Sequence, residues 1–172
     1  LLILAVVIIA ALVGIDQLIK LWAVQTLKPV GEMEFLRIGN VDILHLTYLE
    51  NTGSAFGSFA GQRLLLLIVT LLGVAVCTYL LVRRSRNQPL LYWSLLLIIG
   101  GALGNMADRI FRGGAVVDYL DIQLFRFAIF NFADSCVTVG TALLFVYILF
   151  FMDRKPKQVP SSGEQEPTDD KA

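Results

Sequence analysis

Apolar residues fall in four long runs separated by polar connections. The first runs from Leu1 to about Val24 and carries no ionisable side chain before Asp16. The second covers Leu64 to Val82, between Arg63 and the pair Arg83-Arg84. The third covers Leu90 to about Ile110, just after Pro89, and the fourth runs from about Phe132 to Met152. About 20 apolar residues carry a helix across the ~30 Å hydrocarbon core of a bilayer. The pattern therefore predicts a mainly α membrane protein with four transmembrane helices, at about 1–24, 64–82, 90–110 and 132–152. A start at Leu1 rather than Met points to a native N-terminus that has been trimmed. A cleaved signal peptide is the alternative reading of the first run. It is disfavoured because no small-residue cleavage site follows, and because Asp16 and Lys20 lie inside the run.

The connections at about 25–63 and 111–131 carry a shorter period. Apolar positions partly alternate through Val41-Asp42-Ile43-Leu44-His45-Leu46-Thr47-Tyr48, after a Gly39-Asn40 turn signal. Residues 35–49 thus read as a short strand pair. Tyr119 to Phe130 alternates in part as well, which predicts a small extracytoplasmic β-sheet. Residues 1–152 form one transmembrane domain in this reading. The tail at 153–172, rich in Pro, Ser, Glu and Asp, is expected to be disordered and cytoplasmic.

Composition supports the membrane reading. Apolar residues make up 56% and charged residues 16%, with a mean hydropathy of +0.72. Nine of the 28 charged side chains lie in the last 20 residues, so the rest of the chain is poorer in charge still. Net charge is zero, which leaves no electrostatic case for nucleic acid. Two cysteines, Cys77 and Cys136, and a single His45 give no basis for a zinc site, and neither a P-loop nor GxGxxG occurs. No metal or cofactor is expected. Orientation follows from the basic loops. Arg83, Arg84 and Arg86 lie between spans two and three, and Arg154, Lys155 and Lys157 follow span four. Both sets should be cytoplasmic, with both termini inside and the two mixed-charge connections outside.

On that topology the intramembrane polar residues collect at one depth. Asp16 and Lys20 lie in the outer third of span one, Asn105, Asp108 and Arg109 at the outer end of span three, and Asn131 and Asp134 at the outer start of span four. Ionisable groups in spans are costly and mark function by default. Asp16 and Lys20 are i, i+4, so a local ion pair is an equal alternative to a site role. Gly100 and Gly104 in GxxxG register read as close helix packing. Asp118, in an extended Val116-Val117-Asp118 after Gly113-Gly114, and Asp134 stand out as two acids near one boundary. If they converge, they share a proton. The ionised one can then activate a water while the protonated one polarises a carbonyl. By spacing alone, two such acids are more often ion-pair partners or proton relays.

Four motifs bear on that choice: Asn51-Thr52-Gly53-Ser54-Ala55-Phe56, Gly101 to Arg109 (GALGNMADR), Val116-Val117-Asp118-Tyr119 and Phe130-Asn131-Phe132-Ala133-Asp134-Ser135. In this order, with Asp16-Gln17 late in span one, they resemble bacterial lipoprotein signal peptidase, also called signal peptidase II. The resemblance covers nearly all of residues 1–152. It implies a metal-independent aspartic endopeptidase of the bacterial inner membrane that cuts prolipoproteins before the diacylglyceryl-modified Cys. It implies that Asp118 and Asp134 are catalytic. It also implies that Asn51, Asn105, Arg109 and Asn131 bind substrate or support the dyad, and that Asp16 and Asp108 are structural; Lys20, by its i, i+4 pairing with Asp16, is expected to be structural too. The expected partners are the prolipoprotein and membrane lipid, with the enzyme itself a monomer. Phe56 and Phe59 are candidates to cover the site, and Gly53, Gly57 and Gly61 would permit a lid at 50–62. A small ion or proton transporter is the main rival, and a non-catalytic assembly subunit the second. A transporter needs polar groups reaching both faces, and the inner halves of the spans have almost none.

Overall fold

A computed structural model describes residues 1–53, 59 and 61–152. Expectations placed on 54–58, 60 and the tail at 153–172, including Phe56, Gly57 and a disordered terminus, lie outside the described residues. Seven elements follow one another: α1 (Leu2–Val30), β1 (Glu32–Ile38), β2 (Val41–Asn51), α2 (Arg63–Arg84), α3 (Pro89–Phe111), β3 (Val116–Ile122) and α4 (Phe132–Phe150). All four helices are long and apolar enough to cross a membrane.

The central helix is α3, against which α1, α2 and α4 all pack. Close approach is made possible by glycines. A Cβ on Gly100 would lie 2.7 Å from Leu12 Cδ1 of α1, and one on Gly104 would lie 2.6 Å from Asp16 Oδ2. On the α4 side, a Cβ on Gly101 would lie 2.3 Å from the Ala133 carbonyl oxygen. Small residues are what let helices meet where lipid is no less apolar than a leucine. The GxxxG pair thus serves packing, as expected. Leu91, Leu95, Leu96 and Ile99 of α3 form one core with Ala5 and Leu81. By contrast α2 leaves Leu64, Val69, Leu72 and Val76 exposed, as a lipid-facing helix does.

Helix α1 continues past the expected end at Val24 to Val30. The added turns carry Leu27, fully buried with Ala23 against Leu46, Val117 and Tyr119 of the sheet, so tertiary packing holds them. Pro29 and then Gly31 stop the helix. Gly31 adopts φ 81° and its N–H donates to the Leu27 carbonyl at 2.7 Å.

The sheet is antiparallel in the order β1-β2-β3. Strands β1 and β2 form the expected pair but extend it in both directions, to 32–51. Ile38 pairs with Val41 across Gly39-Asn40, where Gly39 takes φ 60°, the left-handed value that a two-residue hairpin turn demands. The third strand differs more. It starts at Val116, before Tyr119, and ends at Ile122. Only Phe130 returns to it, bridging Leu120. The alternation at 123–129 therefore does not make a strand.

Candidate active site

The site forms where the start of α4, the last turns of α3 and strand β3 meet. Helix α4 begins with a capping box. Asn131 accepts the Asp134 N–H on Oδ1 at 2.9 Å, and the Asn131 N–H donates to Asp134 Oδ2 at 3.2 Å. This motif satisfies two orphan N–H groups of the first turn. It also settles the Asn131 amide. With Oδ1 occupied by an N–H donor, Nδ2 must point the other way, and there it donates to Asp118 Oδ1 at 2.6 Å. One asparagine thus touches both acids.

Asp118 sits on β3 and is buried, 1% exposed. Its second oxygen accepts from Asn51 Nδ2 at 3.0 Å, at the end of β2. The Asn51 amide is oriented by the chain itself, because the Gly53 N–H donates to Asn51 Oδ1 at 2.9 Å. Burial pushes the Asp118 carboxyl up to about 6, and the charge of Asp134 pushes the same way. The Asn51 and Asn131 donors and the more distant Lys20 hold it back. This is the coupling of two acids in a poorly solvated place. Tyr119, next in the strand, is buried and its phenol is raised as well. Its oxygen accepts the Phe132 N–H at 3.1 Å and so joins β3 to α4.

Asp134 Oδ1 accepts from Asn105 Nδ2 at 2.7 Å. Asn105 Oδ1 in turn accepts from Asn131 Nδ2 at 3.1 Å and from Lys20 Nζ at 2.9 Å. Beneath lies a buried ion cluster. Lys20 Nζ is 2.9 Å from both Asp16 Oδ2 and Asp108 Oδ2. Arg112 Nε pairs with Asp108 Oδ1 at 3.1 Å. Asp16 Oδ1 accepts the Ala133 N–H and Asp108 Oδ2 accepts the Val117 N–H, both at 3.2 Å. The cluster therefore ties α1 and α3 to the residues just before each candidate acid.

The structure brings the nine residues singled out in the sequence into one neighbourhood. The Asp16–Lys20 ion pair and the site role turn out to be compatible, since Lys20 also reaches Asn105. Arg109 does not hold a dyad carboxylate. Its Nη2 donates to the Gly53 carbonyl at 2.9 Å and its Nη1 to the Asn105 carbonyl at 3.3 Å. Its buried Nε has no partner among the described residues. Sequence reasoning gave no role to Gln17, whose Nε2 donates to Asp108 Oδ1 at 3.0 Å and to the Gly104 carbonyl at 3.2 Å. Its position beside Asp16 was the available signal.

A metal has little to hold it here, because the site offers amides and two carboxylates already hydrogen-bonded. Elsewhere, Glu34, Asp42 and His45 of the hairpin bring ligand atoms within 4.8 Å of one another. Arg37 already shares that group, 3.3 Å from Asp42 and 3.7 Å from Glu34, and Glu32 contacts the His45 ring.

Comparison with known proteins agrees with this architecture. The family model described as signal peptidase (SPase) II matches residues 8–150. A lipoprotein signal peptidase of Clostridioides difficile is 40% identical over 147 residues, covering 85% of this chain and 95% of that protein. One from Halothermothrix orenii is 39% identical over 144 residues, covering 83% and 92%. A bacterial membrane enzyme solved by the in meso method at 2.3 Å superposes with a TM-score of 0.76 at 28% identity, over 90% of this chain and 93% of that one. A second, solved at 1.9 Å, gives 0.73 at 30% identity, over 86% and 93%. Four membrane-spanning helices, a three-stranded sheet and this match over most of the chain show that it belongs to the signal peptidase II family of multi-pass membrane proteases.

Proposed function

We propose that this chain removes the signal peptide of prolipoproteins, cutting before the diacylglyceryl-modified Cys, with Asp118 and Asp134 as a water-activating dyad. The observation that carries the reading is the sharing of Asn131, whose amide donates to Asp118 while its backbone N–H donates to Asp134. Three asparagines, each with its amide oxygen already occupied, aim N–H groups at the pair.

The two acids then divide the work. Both acids accept N–H donors, Asp134 from Asn105 and the helix start and Asp118 from Asn51 and Asn131, so burial rather than hydrogen bonding sets them apart, and Asp134 is read as the ionised base. Asp118, raised to about 6, is the proton carrier. Asp134 takes a proton from the attacking water as the oxygen adds to the scissile carbonyl. Asp118 gives its proton to the carbonyl oxygen, so the tetrahedral intermediate forms as a neutral diol. On collapse the C–N bond breaks. Asp134 returns its proton to the leaving nitrogen, and Asp118 recovers one from the diol, which restores the starting state. Arg109 offers its Nε, without a partner among the described residues, to a substrate carbonyl, and Asn51 supports the dyad through Asp118. Asp16 and Asp108 hold the frame beneath.

Membrane depth suits this substrate. The basic Arg83, Arg84 and Arg86 lie at the end of the bundle opposite the sheet, which supports a dyad near the outer face with both termini inside. A signal helix spanning the bilayer presents its cleavage point at that depth, with the lipidated Cys anchored beside it. The enzyme acts as a monomer in this reading, without cofactor.

The test is processing of a diacylglyceryl-modified prolipoprotein by purified protein in detergent, with chelator present. Wild type should release the signal peptide. Asp118→Asn and Asp134→Asn should each lose about 10³-fold or more in kcat, as loss of a central proton-transfer group does. Near-normal cleavage by either variant would remove the dyad.

A further inference from the structure

Lys20 is fully buried, and its three N–H groups meet three acceptors: Asp16 Oδ2, Asp108 Oδ2 and Asn105 Oδ1, each at 2.9 Å. Two of these partners are the expected counter-ions. The third is neutral and belongs to the active site. We propose that Lys20 is a positioning residue for the dyad, acting through Asn105 to keep Asp134 the accepting, ionised partner. This deepens the assignment of Asp118 and Asp134 as the catalytic pair and rests on it.

The argument is one of donor and acceptor inventory. An ammonium has donors and no acceptor. The Asn105 atom facing Lys20 must therefore be the amide oxygen, and Asn131 Nδ2 presents a second donor to that same oxygen. Asn105 Nδ2 is left pointing at Asp134 Oδ1, 2.7 Å away. An NH₂ group cannot accept, so that oxygen must be a lone-pair acceptor and cannot carry the proton toward Asn105. If the amide turned over, its oxygen would face Asp134 and would favour a protonated carboxyl there. The roles of the two acids would then be exchanged. Lys20 opposes that turn with a full charge in a site where electrostatic interactions are strong.

Lys20 acts on Asp118 as well, through space. Its charge lowers the Asp118 carboxyl against the burial and the Asp134 charge that raise it. Among the described residues, the charged groups facing the dyad are Lys20 from α1, Arg109 from α3, and Asp16 and Asp108 beneath. Asp16 and Asp108 are already paired with Lys20 and Arg112.

Removing Lys20 alone would strand two buried carboxylates, so the first variant removes one acid with it. Asp16→Asn/Lys20→Met keeps the amide oxygen that the Ala133 N–H needs, and leaves Asp108 paired with Arg112. It is compared with wild type, with Asn105→Leu and with the combination of both. Readouts are kcat, KM, the pH profile and the melting temperature in detergent. The expected result is a kcat loss of about 10–100-fold at little changed KM, with the alkaline limb moved to higher pH. In the Asn105→Leu background the same change should cost almost nothing further, because the route to Asp134 is already cut. Additive losses in the two backgrounds, or an unmoved kcat and pH profile, would overturn the proposal and leave Lys20 a packing and ion-pair residue. Should the pair variant not fold, Lys20→Arg takes its place in the same cycle. It keeps the charge but spreads it over a longer planar fork that cannot repeat the three-point contact. No loss of kcat, or an additive one, again overturns the proposal. The Asp118→Asn control separates the two claims. Activity in that variant removes the dyad itself, whereas an inactive Asp118→Asn beside an additive Lys20 cycle removes only the positioning role.

Discussion

Asp118 and Asp134 are chemically identical side chains in unlike settings. Asp118 is raised to about 6 chiefly because it is buried, with Asp134 adding to the effect. A raised carboxyl keeps its proton to higher pH, so in the proposed mechanism the competent form, with Asp118 protonated, declines as pH rises through that value. For free enzyme, kcat/KM should accordingly show an alkaline limb near pH 6, and substrate that expels water should carry the limb of kcat higher. Asn131 supplies a donor that lowers Asp118. Asn131→Asp keeps a capable helix cap but replaces that donor with a negative charge. Its alkaline limb should move up and its kcat fall, and the melting temperature should fall as well, because the new carboxylate is buried beside Asp118. A pH–rate series on the two proteins checks both directions. An unmoved limb would separate Asp118 from the titration.

At the scale of elements, the spacing of helices sets the spacing of the acids. Gly101 lets α3 approach the first turn of α4, where a Cβ would lie 2.3 Å from the Ala133 carbonyl, one residue before Asp134. Backbone cannot yield there as a side chain can. Gly101→Ala should therefore lower stability by about 1–3 kcal/mol, the usual range for overpacking, and should lower kcat as α4 shifts. Gly73 in α2 is the contrast, with nothing within 4 Å of an added Cβ. Gly73→Ala should leave activity unchanged and hold or slightly raise the melting temperature, because alanine is the better helix former by about 1 kcal/mol in water. Thermal denaturation in detergent compares the two. The same elements show what could be read in advance. Four helices follow from runs of apolar residues, because the bilayer selects on local composition alone. The clustering of Asp16, Asn105, Asp118 and Asp134 followed from their shared depth. What stayed hidden was settled by contacts between distant segments. The last turn of α1 is held by Leu27 against the sheet, β3 begins where it finds β2, and Lys20 reaches Asn105 across 85 positions of sequence. Arg109 was expected to bind substrate or support the dyad, and its grip on the Gly53 carbonyl is a contact that no pattern of charges reveals.

Across the whole molecule, polarity is distributed along one axis. The sheet, the asparagines and the buried ion cluster occupy one end. The other end holds an apolar core of Leu91, Leu95, Leu96 and Ile99, with the Arg83–Arg86 turn beyond it. Such a molecule has a defined way up in a membrane. Basic residues in short loops are retained on the cytoplasmic side, where translocating them is disfavoured. The proposed orientation therefore turns the sheet end outward, where a protease that meets a translocated cleavage point needs its dyad. Asn40 in the hairpin turn and Asn87 between α2 and α3 are both exposed and report the two ends. With Cys77 and Cys136 replaced by Ala, Asn40→Cys should react in intact spheroplasts with a thiol reagent that cannot cross the membrane. Asn87→Cys should react only after permeabilisation. The reverse pattern would place the dyad on the cytoplasmic side, out of reach of a translocated prolipoprotein. The orientation and the proposed substrate would then fall together, while the carboxylate geometry would stand.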